Sequence, residues 1–203
     1  MSPRGGRPRT DGSSTGGSRT GDPRTARTRA KLRQALLDEC MLRPLEEVSI
    51  TDLVQRAGLG RATFYLHYED LRALALDACA DVVRQAVDAL HAWRGAPDPD
   101  NPPPALTGFF TGITPHAPLY RTLLGPAGVG PLGELLHREL RERSRTERAL
   151  AGAPAPDLVA SAVASAFTAV LADWLHGLIE GPPEQIAGQV WRLLIALHRA
   201  RLP

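Results

Sequence analysis

The stretch SITDLVQRAGLGRATFYLHY, residues 49–68, decides the fold because it encodes two short helices joined by a glycine turn. Ser49 and Asp52 have the S-x-x-D spacing of a capping box, in which a hydroxyl and a carboxylate satisfy amides left open at a helix start. A helix is therefore predicted from about Ile50, with apolar positions Ile50, Leu53, Val54 and Ala57 recurring at three- and four-residue steps. Gly58 stands where a left-handed helix terminus favours a residue without Cβ. After Gly58-Leu59-Gly60 a second helix can start at once, with Gly60 as a tolerated N-cap. It buries Leu59 and Phe64 and leaves Arg61, Thr63, Tyr65 and His67 for the outer face.

Two helices joined by a short glycine-containing turn form a helix-turn-helix, whose second helix enters the major groove of DNA. The run Ala57-Gly58-Leu59, followed by Thr63-Phe64-Tyr65 and His67-Tyr68, resembles the DNA-binding domain of tetracycline-repressor-like (TetR-like) regulators, where A-G-(V/L)-S-x-x-(T/A)-(L/F)-Y-x-(H/Y)-F is typical. Two residues depart from that pattern. Gly60 replaces the usual Ser cap, and Leu71 replaces a Lys that touches phosphate. The resemblance covers roughly residues 24–200, with the specific motifs in the first 50 or so of these.

This resemblance implies an all-α chain with an N-terminal three-helix helix-turn-helix domain and a C-terminal helical ligand-binding and dimerisation domain. It also implies a homodimeric transcriptional repressor on a near-palindromic operator in double-stranded DNA, released by a small-molecule effector that tilts the fourth helix. The DNA-binding residues expected are Arg29, Ser49, Thr51, Gly60, Arg61, Ala62, Thr63, Tyr65, Leu66 and His67. Arg61 suits a bidentate contact to guanine, the Thr63 and Tyr65 hydroxyls suit phosphates or base edges, and His67 can donate to a phosphate. Two rivals stand beside these roles: Tyr65 packing against the first helix, and Arg61 only neutralising phosphate.

Charge supplies an independent argument. Residues 1–33 carry nine basic side chains against Asp11 and Asp22, a charge of +7, while the remaining 15 basic and 20 acidic residues leave −5. The molecule is thus polar, with one end suited to phosphate. Residues 1–23, rich in Gly, Ser, Pro and Thr, are expected to form a disordered basic arm, either contacting DNA or acting as a solubilising tail.

The expected domains are residues 24–70 for DNA binding and 71–203 for regulation and dimerisation. Helix one should run from about residue 24 to 42 and bury Leu32, Leu36, Leu37 and Cys40. Asp70 should cap a long fourth helix over residues 71–93, followed by a stiff proline-rich connection ending near Pro104. Five further helices are expected over residues 105–113, 116–124, 132–150, 157–179 and 184–202. The last two carry the apolar stripes Val163, Phe167, Val170, Trp174 and Ile186, Val190, Leu194, Leu197, read as a four-helix dimer interface. Closure of an intrachain core is the alternative reading. An effector pocket is expected to draw on Trp93, Phe109, Phe110, His116, Tyr120, His137, Phe167 and Trp174, although several of these suit ordinary core equally well.

Other function classes lack their motifs. There is no G-x-S-x-G elbow, H-E-x-x-H, Walker sequence or G-x-G-x-x-G after a strand, so no enzyme, catalytic residue or cofactor is expected. The six histidines show no metal spacing, and Glu134, His137, Arg138 and Glu139 read as part of a solvated helix face. No apolar run resembles a membrane span or a secretory signal, and Cys40 and Cys79 read as small buried hydrophobes, which together imply a cytoplasmic protein. A regulator answering to a protein partner, or a helical interaction module without DNA binding, is the alternative function.

Overall fold

A computed structural model of the chain describes residues 23–92 and 97–199. Among the described residues the regular structure is entirely helical. Three helices form an N-terminal head: α1 (Pro23–Cys40), α2 (Ile50–Ala57) and α3 (Arg61–Tyr65). A long α4 (Leu71–Ala92) leads into a body made of α5 (Pro104–Ile113), α6 (Ala117–Leu124), α7 (Pro131–Leu150), α8 (Pro156–Leu175) and α9 (Pro183–Arg199). Residues 1–22 of the expected basic arm, and Trp93, lie outside the described residues.

Local chemistry explains the helix ends in the head. The Ser49 hydroxyl accepts the Asp52 N–H at 3.1 Å, one half of the expected capping box. The other half is missing because the Asp52 carboxylate turns to Arg43 at 3.3 Å. Gly58 takes φ 66° and ψ 38°, and the Leu59 N–H reaches back to the Val54 carbonyl at 2.8 Å, closing α2 in a left-handed cap. Asp70 caps α4 as expected, its carboxylate accepting the Ala73 N–H at 2.7 Å.

Leu32, Leu36, Leu53, Val54, Phe64, Tyr68 and Leu74 fill the core beneath the head. Leu37 and Cys40, expected there too, are half-buried against it. A buried carboxylate supplements the apolar packing. Glu39, 3% exposed, receives Arg43 Nε at 2.9 Å from the turn after α1 and the Arg56 guanidinium from α2. Those hydrogen bonds, from Arg43 first and Arg56 second, hold its carboxyl below the usual carboxylate range.

The body is built on α7 and α8, which pack along their lengths, with α9 laid across α5 and α8. Close backbone approach positions the α6–α7 connection. A Cβ on Gly133 would lie 1.9 Å from the Gly128 carbonyl oxygen, so only glycine fits there. The sequence reading placed the end of α8 at Ile179; the helix stops at Leu175, where the Leu178 N–H turns back to the Asp173 carbonyl at 2.8 Å. Contrary to the expectation from apolar runs, α8 has the length and mean hydropathy (1.7) of a membrane span. Half of it is buried in the body, and its alanines serve close helix packing.

Candidate nucleic-acid interface

The back of α3 is anchored and its front is open. Phe64 is wholly buried and Tyr68 is 6% exposed, with their rings 6.0 Å apart. These anchors turn Arg61, Ala62, Tyr65 and Leu66 to solvent and leave Thr63 and His67 half-buried. Arg61 reaches over the turn, its guanidinium 3.5 Å from the Thr51 hydroxyl, so Thr51 and Arg61 share one surface although ten residues separate them. Tyr65 stands edge-on to Phe64 at 5.3 Å and keeps 53% of its surface open, so its ring packs within α3 and its remainder is free. Gly60 caps α3 with no side-chain bond, and Ser49 spends its hydroxyl on the α2 cap.

Arg29, expected at DNA, is engaged toward α4: its Nε donates to the Tyr68 hydroxyl at 3.2 Å and its Nη2 lies 3.3 Å from Asp77. Its guanidinium also lies 5.3 Å from the Tyr68 ring centroid. Asp77 accepts the Tyr68 hydroxyl at 2.6 Å and pairs with Arg33 at 3.3 Å, and Arg33 also reaches Asp81 at 3.2 Å. Burial and the Asp77 hydrogen bond push the Tyr68 phenol up to about 12, so it stays a donor at neutral pH. Arg29 and Arg33 thus brace the head against α4. Arg27 and Lys31 remain exposed on α1. Arg72, which the sequence reading passed over, is exposed directly after the half-buried Leu71. A cation one position beyond the missing Lys was the available signal.

Of the eight residues expected to line one pocket, the seven that are described do not converge. Phe110 and Tyr120 are core residues, 0% and 1% exposed, with Phe110 against Trp174 and Tyr120 beside Cys79. The Trp174 indole N–H donates to the Gly181 carbonyl at 3.0 Å, closing the α8–α9 connection. His116 is half-buried, and burial lowers its pKa. His137 faces a separate surface groove with Glu134, Ser165 and Thr168. Among those seven, only Phe109 and Phe167 meet at a cavity, an apolar one of about 40 Å³.

A larger chamber of about 450 Å³ lies between the far ends of α4, α7 and α9 and shares Leu90, Leu140, Val163 and Leu194 with the small cavity. Its floor includes Trp191 and Ile195, and its polar rim comprises His91, Ser144, Glu147, His198 and Arg199. Two ion pairs, His91 with Glu147 and Asp88 with Arg143, tie α4 to α7 beside it. A signal for this chamber was present in the sequence. The core stripe Leu132, Leu136, Leu140 of α7 continues at the same spacing into Ser144 and Arg148, both buried, and the α9 stripe turns polar at His198. Two apolar stripes turn polar at the same end of the body.

The expected dimer stripe is also corrected. Val163, Phe167, Ile186, Val190 and Leu194 are between 1% and 7% exposed within a single chain, so they fill its own core. Val170, Trp174 and Leu197 are half-buried. The open face of these helices instead carries Ser165 on α8 and Gln185, Gln189, Leu193 and Ala196 on α9.

No family model and no curated protein matches the chain. Solved structures do. A TetR-family regulator from Streptomyces coelicolor superposes with a TM-score of 0.61 at 21% identity, over 85% of this chain and 80% of that one. A TetR regulator from Rhodococcus sp. RHA1 gives 0.55 at 15% identity, covering 86% and 97% of the two chains. A putative TetR-family regulator from Mesorhizobium loti gives 0.54 at 16% identity over 87% and 97%. The chain has the all-α fold of TetR-family transcriptional regulators.

Proposed function

We propose that the chain is a sequence-specific DNA-binding transcriptional regulator in the cytoplasm, a homodimeric repressor of a near-palindromic operator that a small-molecule effector releases. One observation carries the reading: α3 is locked from behind by Phe64 and Tyr68 and presents Arg61, Tyr65 and Leu66 outward beside Thr51. A helix held in this way can enter a major groove without rearranging. Arg61 addresses guanine, Thr51 and Tyr65 supply hydroxyls, and Arg27, Lys31 and Arg72 meet phosphates around the groove. Dimerisation uses the open faces of α8 and α9 around Ala166, Ala169, Gln189 and Leu193, which suit close helix packing between copies.

The chamber beside α4 is the effector site of this reading. Its size falls within the range of small-molecule pockets, and it combines an apolar floor with few polar groups. From there α4 runs to Asp77 and Asp81, which hold Arg29 and Arg33 of the head. A ligand that spreads α4 from α7 therefore acts on the element that carries the head.

Selection of bound sequences from random duplex DNA tests the reading. The expected result is an inverted repeat with half-sites about 34–36 Å apart, one helical turn. Arg61→Ala should weaken that binding about tenfold or more and relax one guanine position. Absence of any enriched sequence at low salt would remove the proposal.

A further inference from the structure

The outer face of the reading head carries two strips of opposite chemistry. Arg61 and Tyr65 form one, four residues apart, and Ala62 and Leu66 form the other at the same spacing. The Leu66 N–H bonds to the Ala62 carbonyl at 3.2 Å, so the second strip continues the helical turn past the end of α3 and stacks Leu66 over Ala62. Leu66 is 82% exposed, the most exposed large apolar side chain of the head. Phe64 and Tyr68, two residues either side of it, are buried, so the core was within reach of this turn and Leu66 was turned away from it. On a free protein that exposure costs hydrophobic free energy and yields nothing. Arg61 and Thr51, also exposed on the head and 3.5 Å apart, are polar groups suited to nucleotide edges.

Among base edges in the major groove, the methyl group at C5 of thymine is the apolar feature, and alanine and larger apolar side chains pair with it. We infer that Ala62 and Leu66 form a thymine-methyl reader, with Leu66 the specificity-determining residue, so that each half-site holds a thymine close to the guanine addressed by Arg61. This rests on the regulator reading above and deepens it. Arg61 supplies hydrogen bonds and charge, and Leu66 supplies discrimination by burying a methyl. The cytosine edge at the same place offers a donor and no methyl, which an apolar partner leaves unsatisfied.

The test uses the full chain, wild type and Leu66→Ala, with the operator obtained by selection. Each thymine is replaced singly by deoxyuridine, which removes only the methyl. The wild type should lose about fourfold in affinity at the position facing Leu66, the equivalent of one buried methyl group. Leu66→Ala should bind the thymine operator more weakly and show no further loss with deoxyuridine there, while its thermal stability is unchanged because the side chain is exposed. A methyl effect of equal size in both proteins, or no position sensitive to the methyl, overturns the inference and leaves the regulator reading standing. A change of oligomeric state in Leu66→Ala with base preference intact also overturns it, because Leu66 would then face another protein copy. If selection enriches no sequence at all, the regulator reading fails and this inference with it.

Discussion

The head and the body solve the same problem, fixing helices against one another, with different forces. In the head, α2 and α3 have only eight and five residues, and the apolar core is supplemented by the Glu39 carboxylate between Arg43 and Arg56 and by the Arg29, Tyr68, Asp77 network toward α4. In the body, the helices α7 and α8 have 20 residues each and pack through Leu, Val, Phe and Ala, and the α6–α7 connection approaches α7 so closely that a single methyl is excluded. Polar clamps tie down a small unit in which α3 keeps one face bare. Close packing suits a body whose surfaces are largely turned inward. The same substitution should therefore act differently in the two regions.

The largest effect is expected in the body. Gly133→Ala puts a Cβ 1.9 Å from a backbone oxygen and 2.6 Å from its carbonyl carbon, neither of which can swing away as a side-chain tip does. The α6–α7 connection must shift as a whole, at a cost above about 3 kcal/mol, with Tm falling by roughly 10 °C. A variant melting within a degree of wild type would show that the connection is not pinned against α7.

In the head, the next largest effect comes from charge. Glu39→Gln keeps the shape but leaves two guanidiniums facing a neutral amide, and should cost about 2 kcal/mol, below the range for a fully buried pair because Arg43 and Arg56 are partly open to water. The pH dependence has a definite sign. A depressed carboxyl pKa contributes stability that is complete above the ordinary range near pH 4.3 and is lost as the pH falls through the depressed value. Urea unfolding should show the full gap between wild type and variant at pH 7 and a shrinking gap below about pH 4. A gap independent of pH would assign the loss to packing.

Much of this organisation was legible in the sequence, for reasons that differ by region. Ser49, Gly58 and Asp70 act through atoms a few residues away, so their roles follow from spacing alone, and each stands where expected. The bracing role of Arg29 was not legible because its partner Asp77 lies 48 positions further on, beyond any local pattern. Aromatic residues could not locate the pocket, because an aromatic side chain suits a core and a cavity equally. Phe110 and Tyr120 went to the core, and the chamber formed where Ser144 and His198 interrupt apolar stripes. Dimer residues were misassigned for a related reason. A stripe such as Ile186, Val190, Leu194 shows that a helix is buried on one side but not which chain supplies the cover.

Gly58→Ala sharpens the contrast with Gly133. A Cβ at Gly58 meets nothing within 4 Å, so space is not at issue; the residue is held at φ 66°, where an alanine pays a backbone penalty of about 1 kcal/mol. The measured ratio of the two Gly→Ala costs, about threefold or more in favour of Gly133, separates a packing constraint from a conformational one. Equal costs would mean that both glycines serve only backbone conformation.

The smallest expected effect is a gain, at the start of α3. Gly60 has the extended conformation of an N-cap, φ −93° and ψ 155°, which serine adopts without strain. A Cβ there would have Thr63 Oγ1 as its nearest neighbour at 4.0 Å, leaving room for a hydroxyl to accept the open amides of the first turn. Gly60→Ser should stabilise the head by a few tenths of a kcal/mol, and Ser49→Gly, which removes the equivalent bond from α2, should cost a similar amount. Because α3 has only five residues, a better cap steadies a large fraction of its length, so the gain should also appear as slower amide exchange at Thr63 and Phe64. If Gly60→Ser instead destabilises the head, the glycine is needed for close approach of some partner to the turn, and its place in this reading head is one of contact.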